Sequence, residues 1–500
     1  MRDSHFFSII TFMSPLEESW KSIVNFIKSN RDGLVVGAIL LAVVIWSLSA
    51  LLTKPKLWID ESISINISRS FMTEGVLSPQ TAPGRFFDFP ELIQSTGYPV
   101  TVLLAGFFKV FGYGVYQARI FMLVWIVVAL SLVFLLAKKL FGRESAYGSL
   151  LLVASFASFY GSGRTVVGEI PGFVFLFGGL YFFLERERYF LTGIFWGLAV
   201  VTKPSVFGLL IPAIILTLIF ERKDFFRKVI LLGCGMVPAA LLWVALVLPH
   251  PFNTETWLSI GAFYKNPYSS SVFGNVIHNL VRVFHSTTLI YFGCLSLAIL
   301  GSRLFLKEAK LLTLYTFTLL YSLLAFLYYL RSPGWLRYIL IAELLILFIL
   351  PHVVSVWTAH FKDRYAMVPL SQRSLSGCIL AVLVTVQIAQ MFTIAKIFSS
   401  DEDLRTVAYL KKNFPAASVG LLNAPNVDIL LDPTKSFLAV DLTGMPVVGE
   451  NPILSKNLPD IVVSYSHNRF VEEGKKTLDE WYITETSIGG YSIYKRVQHE

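Results

Sequence analysis

The sequence predicts an all-α polytopic membrane bundle of roughly eleven transmembrane helices, with a small α/β domain at its C-terminal end. Three observations predict it. The 500 residues are 55% hydrophobic and only 15% charged, whereas soluble domains carry about 25% charged residues, so the chain needs lipid as its solvent. Apolar runs near the length of a bilayer crossing recur from residue 34 to residue 395, separated by basic or aromatic loops. The apolar character then stops: residues 399–500 hold 10 Lys and Arg against 14 Asp and Glu, which leaves 32 basic against 19 acidic residues before them.

The net charge of +9 therefore belongs to the membrane portion, where it reports orientation and not nucleic-acid binding. Residues 1–33 form a cytoplasmic N-terminal segment. They contain Glu17, Glu18, Lys21, Lys28, Arg31 and Asp32 and show no small-residue cleavage site, so no cleavable signal peptide is read there. Within it, 14–29 reads as an amphipathic helix on the cytoplasmic face or as a disordered tail. The membrane module is 34–398. Its spans are expected near 34–53, 116–137, 145–161, 169–184, 189–202, 204–220, 229–249, 283–301, 311–330, 338–357 and 375–395. Basic clusters such as Lys138/Lys139/Arg143, Arg222/Lys223/Arg227/Lys228 and Arg303/Lys307/Lys310 fall on alternate sides of these spans. All land on the cytoplasmic side when the N-terminus is cytoplasmic, which puts the C-terminal domain outside.

Two segments on the expected external side, 54–115 and 250–281, are too long for turns. In the first, Asp60–Thr73 and 98–111 look like helices lying in the membrane interface. The second is rich in aromatic and small polar residues, among them Trp257, Phe263, Tyr264, Asn266, Tyr268 and Ser269–Ser271. The domain 399–500 opens with a helix, Asp401–Asn413, whose first turn is acidic as the helix dipole favours. Strand-like runs follow at 418–422, 437–441, 459–465 and 487–494. The three cysteines, Cys234, Cys294 and Cys378, all lie in apolar runs and suggest neither a metal site nor a disulfide framework.

Charged groups at the membrane edge are costly, so each needs a reason. Asp60 and Glu61 stand just past the first span, in Trp58-Ile59-Asp60-Glu61-Ser62, where they either cap a helix or face an external cavity. Glu169 sits at the mouth of the fourth span, free to line the same cavity or to pair with Arg164. Lys203 interrupts an otherwise uncharged stretch, 189–220, and Pro204 after it starts the next helix. Its ammonium either snorkels or offers a point charge to a phosphate. Arg331 and Arg337 bracket a tight turn before Tyr338, a geometry suited to gripping phosphate or to anchoring in headgroups. Glu343, about 9 Å deeper into the next span, is expected to pair with one of these two cations.

Carboxylates and cations converging on one side of a helical bundle suit sugar transfer from a phospho-polyprenol. A base takes the proton of the acceptor hydroxyl, and cations stabilise the departing phosphate. No glycine-rich nucleotide loop is present, which fits a lipid-linked donor.

These residues resemble the GT-C membrane glycosyltransferases, in the group that contains protein O-mannosyltransferases and the lipid A aminoarabinose transferase. The resemblance covers most of 34–350. It runs through Asp60-Glu61, Tyr98-Pro99, Phe111-Gly112, Ala118-Arg119 and Leu140-Phe141-Gly142-Arg143. It continues with Arg164 and Glu169, Gly197-Leu198-Ala199 leading to Thr202-Lys203, and Arg337-Tyr338. It implies an inverting, single-displacement transfer on the extracytoplasmic side of a cytoplasmic or ER-type membrane. Asp60 would be the general base, with Glu61 orienting the acceptor or a cation and Glu169 lining the cavity. Lys203, Arg331, Arg337 and Tyr338 would meet the donor phosphate. No cofactor is required by the residues, although the resemblance leaves open a divalent metal ion on Asp60, Glu61 and Glu169. The expected partners are a polyprenyl-phosphate-linked sugar, a glycan, lipid or protein acceptor, and membrane lipids. Two departures matter: there is no Trp-Trp-Asp motif, as an oligosaccharyltransferase would have, and no large luminal insert of the eukaryotic O-mannosyltransferase kind. Two other functions compete: a flippase or transporter of lipid-linked glycans, and a polysaccharide polymerase or ligase using His250, His278 or Arg282.

Overall fold

A computed structural model of the chain describes residues 30–265, 271–364, 371–441, 447–466 and 468–497. The helix expected at 14–29 and residues 266–270 of the aromatic segment lie outside them. Residues 1–49 and 50–500 are separate packing units. In the first, α1 (Arg31–Leu48) is an apolar helix of 18 residues.

The second unit begins with α2 (Ile59–Glu74), the short antiparallel pair β1 (Gln80–Ala82) and β2 (Arg85–Phe86), and α3 (Tyr98–Phe111). The bundle follows as α4 (Val115–Phe141), α5 (Arg143–Ala154), α6 (Ala157–Arg164), α7 (Glu169–Glu185) and α8 (Tyr189–Thr202). A helical turn, Pro204–Phe207, leads to α9 (Leu210–Glu221) and α10 (Phe225–Val247). Next come α11 (Thr254–Lys265), α12 (Val272–Val283), α13 (Thr287–Ser302), α14 (Ala309–Arg331), α15 (Leu340–Arg364) and α16 (Gln372–Ile397). Eight helices among the described residues are long and apolar enough to cross a membrane, or nine when the bent pair α6–α7, with 108° between its halves, counts as one span. The chain is an integral membrane protein.

A helix stands at each of the eleven predicted spans, but three fall short of a full crossing. The span expected at 145–161 is interrupted where α5 ends at Ser155, whose hydroxyl donates to Gln387 Oε1 at 2.7 Å. The spans at 169–184 and 189–202 are α7 and α8, of 17 and 14 residues.

The tail starts with α17 (Glu402–Asn413) and carries a five-stranded sheet in the order β4-β3-β5-β7-β6. Strands β3 (Val419–Leu422), β4 (Ser436–Ala439) and β5 (Ile461–Tyr465) run parallel. Strand β7 (Tyr491–Arg496) pairs antiparallel with β5, and β6 (Tyr482–Ile488) pairs antiparallel with β7 at the sheet edge. The single strand expected at 487–494 is thus a hairpin. It turns at Gly489, whose φ of +59° is cheap only for glycine.

Helix α2 is not an exposed surface helix. Every residue from Glu61 to Ser70 is buried, and Ile63 and Ile67 share one apolar core with Val407, Leu410, Val419 and Leu421 of the tail. Its polar residues find partners there too. Ser62 Oγ donates to Asn426 Oδ1 at 2.7 Å, Asn66 Nδ2 donates to Asp428 Oδ2 at 2.8 Å, and Arg69 Nη2 reaches the same oxygen at 3.1 Å. The tail is packed onto the helix that carries Asp60.

Candidate active site

The N-terminus of α2 opens on a cavity of about 440 Å³. Its lining comes from several parts of the chain, among them Gln94 and Ser95 before α3 and Phe263 and Tyr264 of α11. The segment before and into α2 gives Lys56, Trp58 and Asp60, the α8–α9 junction gives Lys203, and the α14–α15 turn gives Trp335, Arg337 and Tyr338. The tail closes it with Glu402, Asn423, Asn426, Asp441, Tyr465 and Tyr491.

Asp60 is the hub of the charged cluster. Arg337 Nη1 donates to its Oδ2 at 2.5 Å, and Lys203 Nζ stands 3.9 Å from the same oxygen. Burial alone would raise the Asp60 carboxyl, but the charges of Arg337 and Lys203 outweigh it and hold it below the usual carboxylate range. Arg337 is itself fixed by aromatic faces, its guanidinium 4.7 Å from the centre of the Trp335 ring and 5.6 Å from that of Tyr338. Tyr338 is buried and packs edge-on against Tyr328 at 5.1 Å.

Lys203 is 2% exposed, with Asp60 on one side and Glu169 Oε1 at 3.7 Å on the other. Both carboxylates are beyond hydrogen-bond distance, and the ammonium has no hydrogen-bond partner among the described residues. The backbone explains its placement. The N–H of Gly97 donates to Thr202 O at 2.9 Å, and a Cβ on Gly97 would sit 1.8 Å from Val201 O. A Cβ on Gly168 would sit 2.4 Å from Thr202 O. Two glycines therefore let neighbouring segments close on the end of α8, where Pro204 starts a new turn and leaves Lys203 at the bend.

The remaining expected site residues are elsewhere. Glu61 turns away from the cavity: Arg119 Nε and Nη2 donate to its two oxygens at 2.8 and 2.7 Å, and both side chains are fully buried. Arg119 also donates from Nη1 to Leu51 O at 2.6 Å and Pro55 O at 2.9 Å. Glu169 lies behind Lys203 and off the cavity wall, paired with Lys203 and not with Arg164. Arg331 does not itself line the cavity; it donates to the backbone carbonyls of Lys265 and of the lining residue Tyr264. Glu343 is buried with Oε1 unpaired and makes no ion pair with Arg331 or Arg337 among the described residues, so that expectation is corrected. The competing candidates His250, His278 and Arg282 do not line the cavity either, and Arg282 donates to Gly334 O at 2.9 Å.

A divalent ion on Asp60, Glu61 and Glu169 does not fit these residues. Glu61 is consumed by Arg119, and an ammonium stands between the other two carboxylates where the ion would go. No group of three metal-ligating side chains occurs among the described residues.

Sequence reasoning missed Lys56 and the whole tail wall. A usable signal existed for the tail: Asn423 and Asp441 directly follow apolar strand runs, and ligands of open parallel sheets bind beyond the carboxyl ends of strands.

The model of the dolichyl-phosphate-mannose-protein mannosyltransferase family matches residues 99–250. No curated protein sequence matches the chain. Among solved structures, ArnT from Cupriavidus metallidurans bound to undecaprenyl phosphate superposes with a TM-score of 0.60 at 11% identity, over 94% of this chain and 98% of that one. The apo form of that ArnT gives 0.57 at 13% identity, over 93% and 98%. The Archaeoglobus fulgidus oligosaccharyltransferase in complex with Zn and sulfate gives 0.50 at 12% identity, over 92% of this chain and 73% of that one. The chain has the GT-C fold. The resemblance drawn from its sequence motifs is borne out, and the GT-C fold accounts for both the helical bundle and the tail.

Proposed function

We propose that this protein is an inverting glycosyltransferase that moves a sugar from a polyprenyl-phosphate-linked donor to an acceptor hydroxyl in the Asp60–Lys203–Arg337 cavity. The observation that carries this reading is Lys203. Burying an ammonium without hydrogen-bond partners is costly, and here it borders a cavity beside a second cation. A phosphate oxygen supplies what it lacks.

The chemistry follows from the arrangement. Asp60, kept ionised by its two cations, accepts the proton as the acceptor oxygen attacks the anomeric carbon. The bond from that carbon to the phosphate oxygen breaks, its electron pair leaves with the phosphate, and Lys203 and Arg337 stabilise the growing charge. A single displacement inverts the anomeric centre. The structural likeness to an ArnT that binds undecaprenyl phosphate supports a polyprenyl carrier here. The Lys and Arg bias of the loops supports a cavity on the extracytoplasmic side.

The test uses the protein in lipid nanodiscs with a panel of radiolabelled polyprenyl-phosphate sugars and water as the default acceptor. Wild type should release sugar from at least one donor. Asp60→Asn should lower that rate by about 10²–10⁴-fold in protein that remains folded, with some fall in melting temperature because Lys203 and Arg337 lose a charged partner. Near-normal turnover by Asp60→Asn removes the base, and no turnover of any donor overturns the transferase reading.

A further inference from the structure

The tail sheet meets the cavity by one particular edge. Asn423 follows β3, Asp441 lies just beyond β4, and Tyr465 ends β5, so three lining residues stand at the carboxyl ends of the three parallel strands. The connection from β3 runs to one neighbour, β4, and the next connection crosses back past β3 to β5. The winding direction thus reverses between β3 and β5, the place where open parallel sheets form ligand crevices. The crevice is built with some backbone cost. Asn423 adopts φ +53°, and its Oδ1 accepts the Asp441 N–H at 2.6 Å, locking the two strand ends together.

The chemistry of this wall differs from that of the wall opposite. Lys56, Lys203 and Arg337 come from the membrane portion, whereas the tail contributes the carboxylates of Glu402 and Asp441, the amide of Asn423 and the half-buried ring of Tyr465. That ring is held against Tyr491 at 4.8 Å between centroids and lies over the backbone of Gly490. Asp441 Oδ2 also stands 3.5 Å from Arg469 Nε, so the wall carries one paired and one further carboxylate and is less favourable to a phosphate than the cationic wall opposite. Carboxylate and amide oxygens take hydrogen bonds from neighbouring hydroxyls, and an aromatic face attracts the polarised C–H groups of a sugar ring.

We propose that the carboxyl edge of the tail sheet is the acceptor subsite, and that the acceptor it takes is a carbohydrate whose ring rests on Tyr465 and whose hydroxyls bond Asp441 and Asn423. The acceptor role rests on the transferase reading; the saccharide site stands on its own geometry.

The experiment separates the two. Binding of soluble manno-, gluco-, galacto- and chito-oligosaccharides of two to four units to the full-length protein in nanodiscs is followed by saturation-transfer NMR, beside the donor-turnover assay. At least one series should bind wild type. Tyr465→Leu and Asp441→Asn should each weaken it roughly tenfold or more, while Tyr465→Phe, which keeps the ring, should retain it. Asp60→Asn should keep saccharide binding and lose donor turnover, and the bound saccharide should become labelled when the donor is supplied. Absence of binding by every series overturns the proposal, as does binding indifferent to Tyr465→Leu and Asp441→Asn in folded protein. Labelling of a serine-containing peptide or of a lipid in preference to every saccharide also overturns it. Saccharide binding with no donor turnover would overturn the transferase reading and leave a saccharide site with another purpose.

Discussion

Asp60 and Glu61 are adjacent acids with opposite fates, and elementary helix geometry separates them. Successive residues on an α-helix point about 100° apart, so Glu61 can face a different side of α2 from Asp60. Asp60 meets Lys203 and Arg337, while Glu61 is sealed in with Arg119. The acidic pair was legible in the sequence. Its division was not, because the partner Arg119 lies 58 residues away. The cations around Asp60 lead to a prediction about pH. Its folded carboxyl lies below the ordinary carboxylate value of 3.8 because Arg337 and Lys203 overcome the upward push of burial. The base form is therefore present above that depressed value and is lost only as pH falls through it. In Arg337→Ala, burial regains weight, and the acid limb of the pH–rate profile for donor turnover should move to higher pH; an unmoved limb would separate Asp60 from Arg337. A second prediction concerns Lys203. Lys203→Ala should weaken donor binding by roughly 10–100-fold, the scale of one or two charge-assisted hydrogen bonds, with Lys203→Arg recovering part of it. Unchanged donor affinity in a titration of the phospholipid donor would remove Lys203 from the phosphate site.

Elements place these residues by contacts that no single residue reveals. The spans were readable as apolar runs because lipid imposes length and composition together. What the runs conceal is where a helix stops inside one. The junction of α8 with the following turn sits within an apolar stretch, and only Lys203 and Pro204 mark it. Its position is set from outside, by Gly97 and Gly168 pressing on Val201 and Thr202. Gly168→Ala makes the prediction at this scale. The new methyl would lie 2.4 Å from a backbone oxygen and 3.0 Å from Lys203 Cβ, and neither can swing aside as a flexible side chain would. Overpacking of this kind costs about 1–3 kcal/mol, so the melting temperature should fall. Donor turnover should fall further than stability explains, because a displacement of about 1 Å at a charged site costs on the order of a hundredfold. Loss of stability with normal turnover would show that the clamp does not position Lys203. The helix pair α6–α7 carries the same lesson, since its bend puts Glu169 at a helix start beside Lys203 and not beside Arg164.

At the scale of the molecule, the tail is joined to the membrane portion through α2 and is not an appendage of it. The sequence showed a composition change near residue 399 and strand-like runs after it, which was enough for a small α/β domain. It did not show that Ser62, Asn66 and Arg69 are buried, because polar residues at helical spacing read as a wet face until their partners are known. Those partners come from the tail, and the ion pair of Arg69 with Asp428 is deeply buried, with side chains 4% and 2% exposed. Asp428 also accepts from Asn66 and from Ser436, so one carboxylate ties α2 to β4. Removing one partner of a buried pair costs about 3–5 kcal/mol because the other charge is left stranded. Asp428→Asn should therefore lower the melting temperature sharply and raise hydrogen exchange in both α2 and the tail strands together. Since Asp60 is in the first turn of the same helix, donor turnover should fall with it. The pair of Arg85 with Glu450 supplies the contrast: its side chains are 70% and 86% exposed, and such pairs contribute about 0–1 kcal/mol. Glu450→Gln should leave melting, exchange and turnover unchanged. If Asp428→Asn behaved like Glu450→Gln, the tail would be held by its apolar core alone, through Ile63 and Ile67 against Val419 and Leu421. The geometry of the active site would then be independent of the buried charge beneath it.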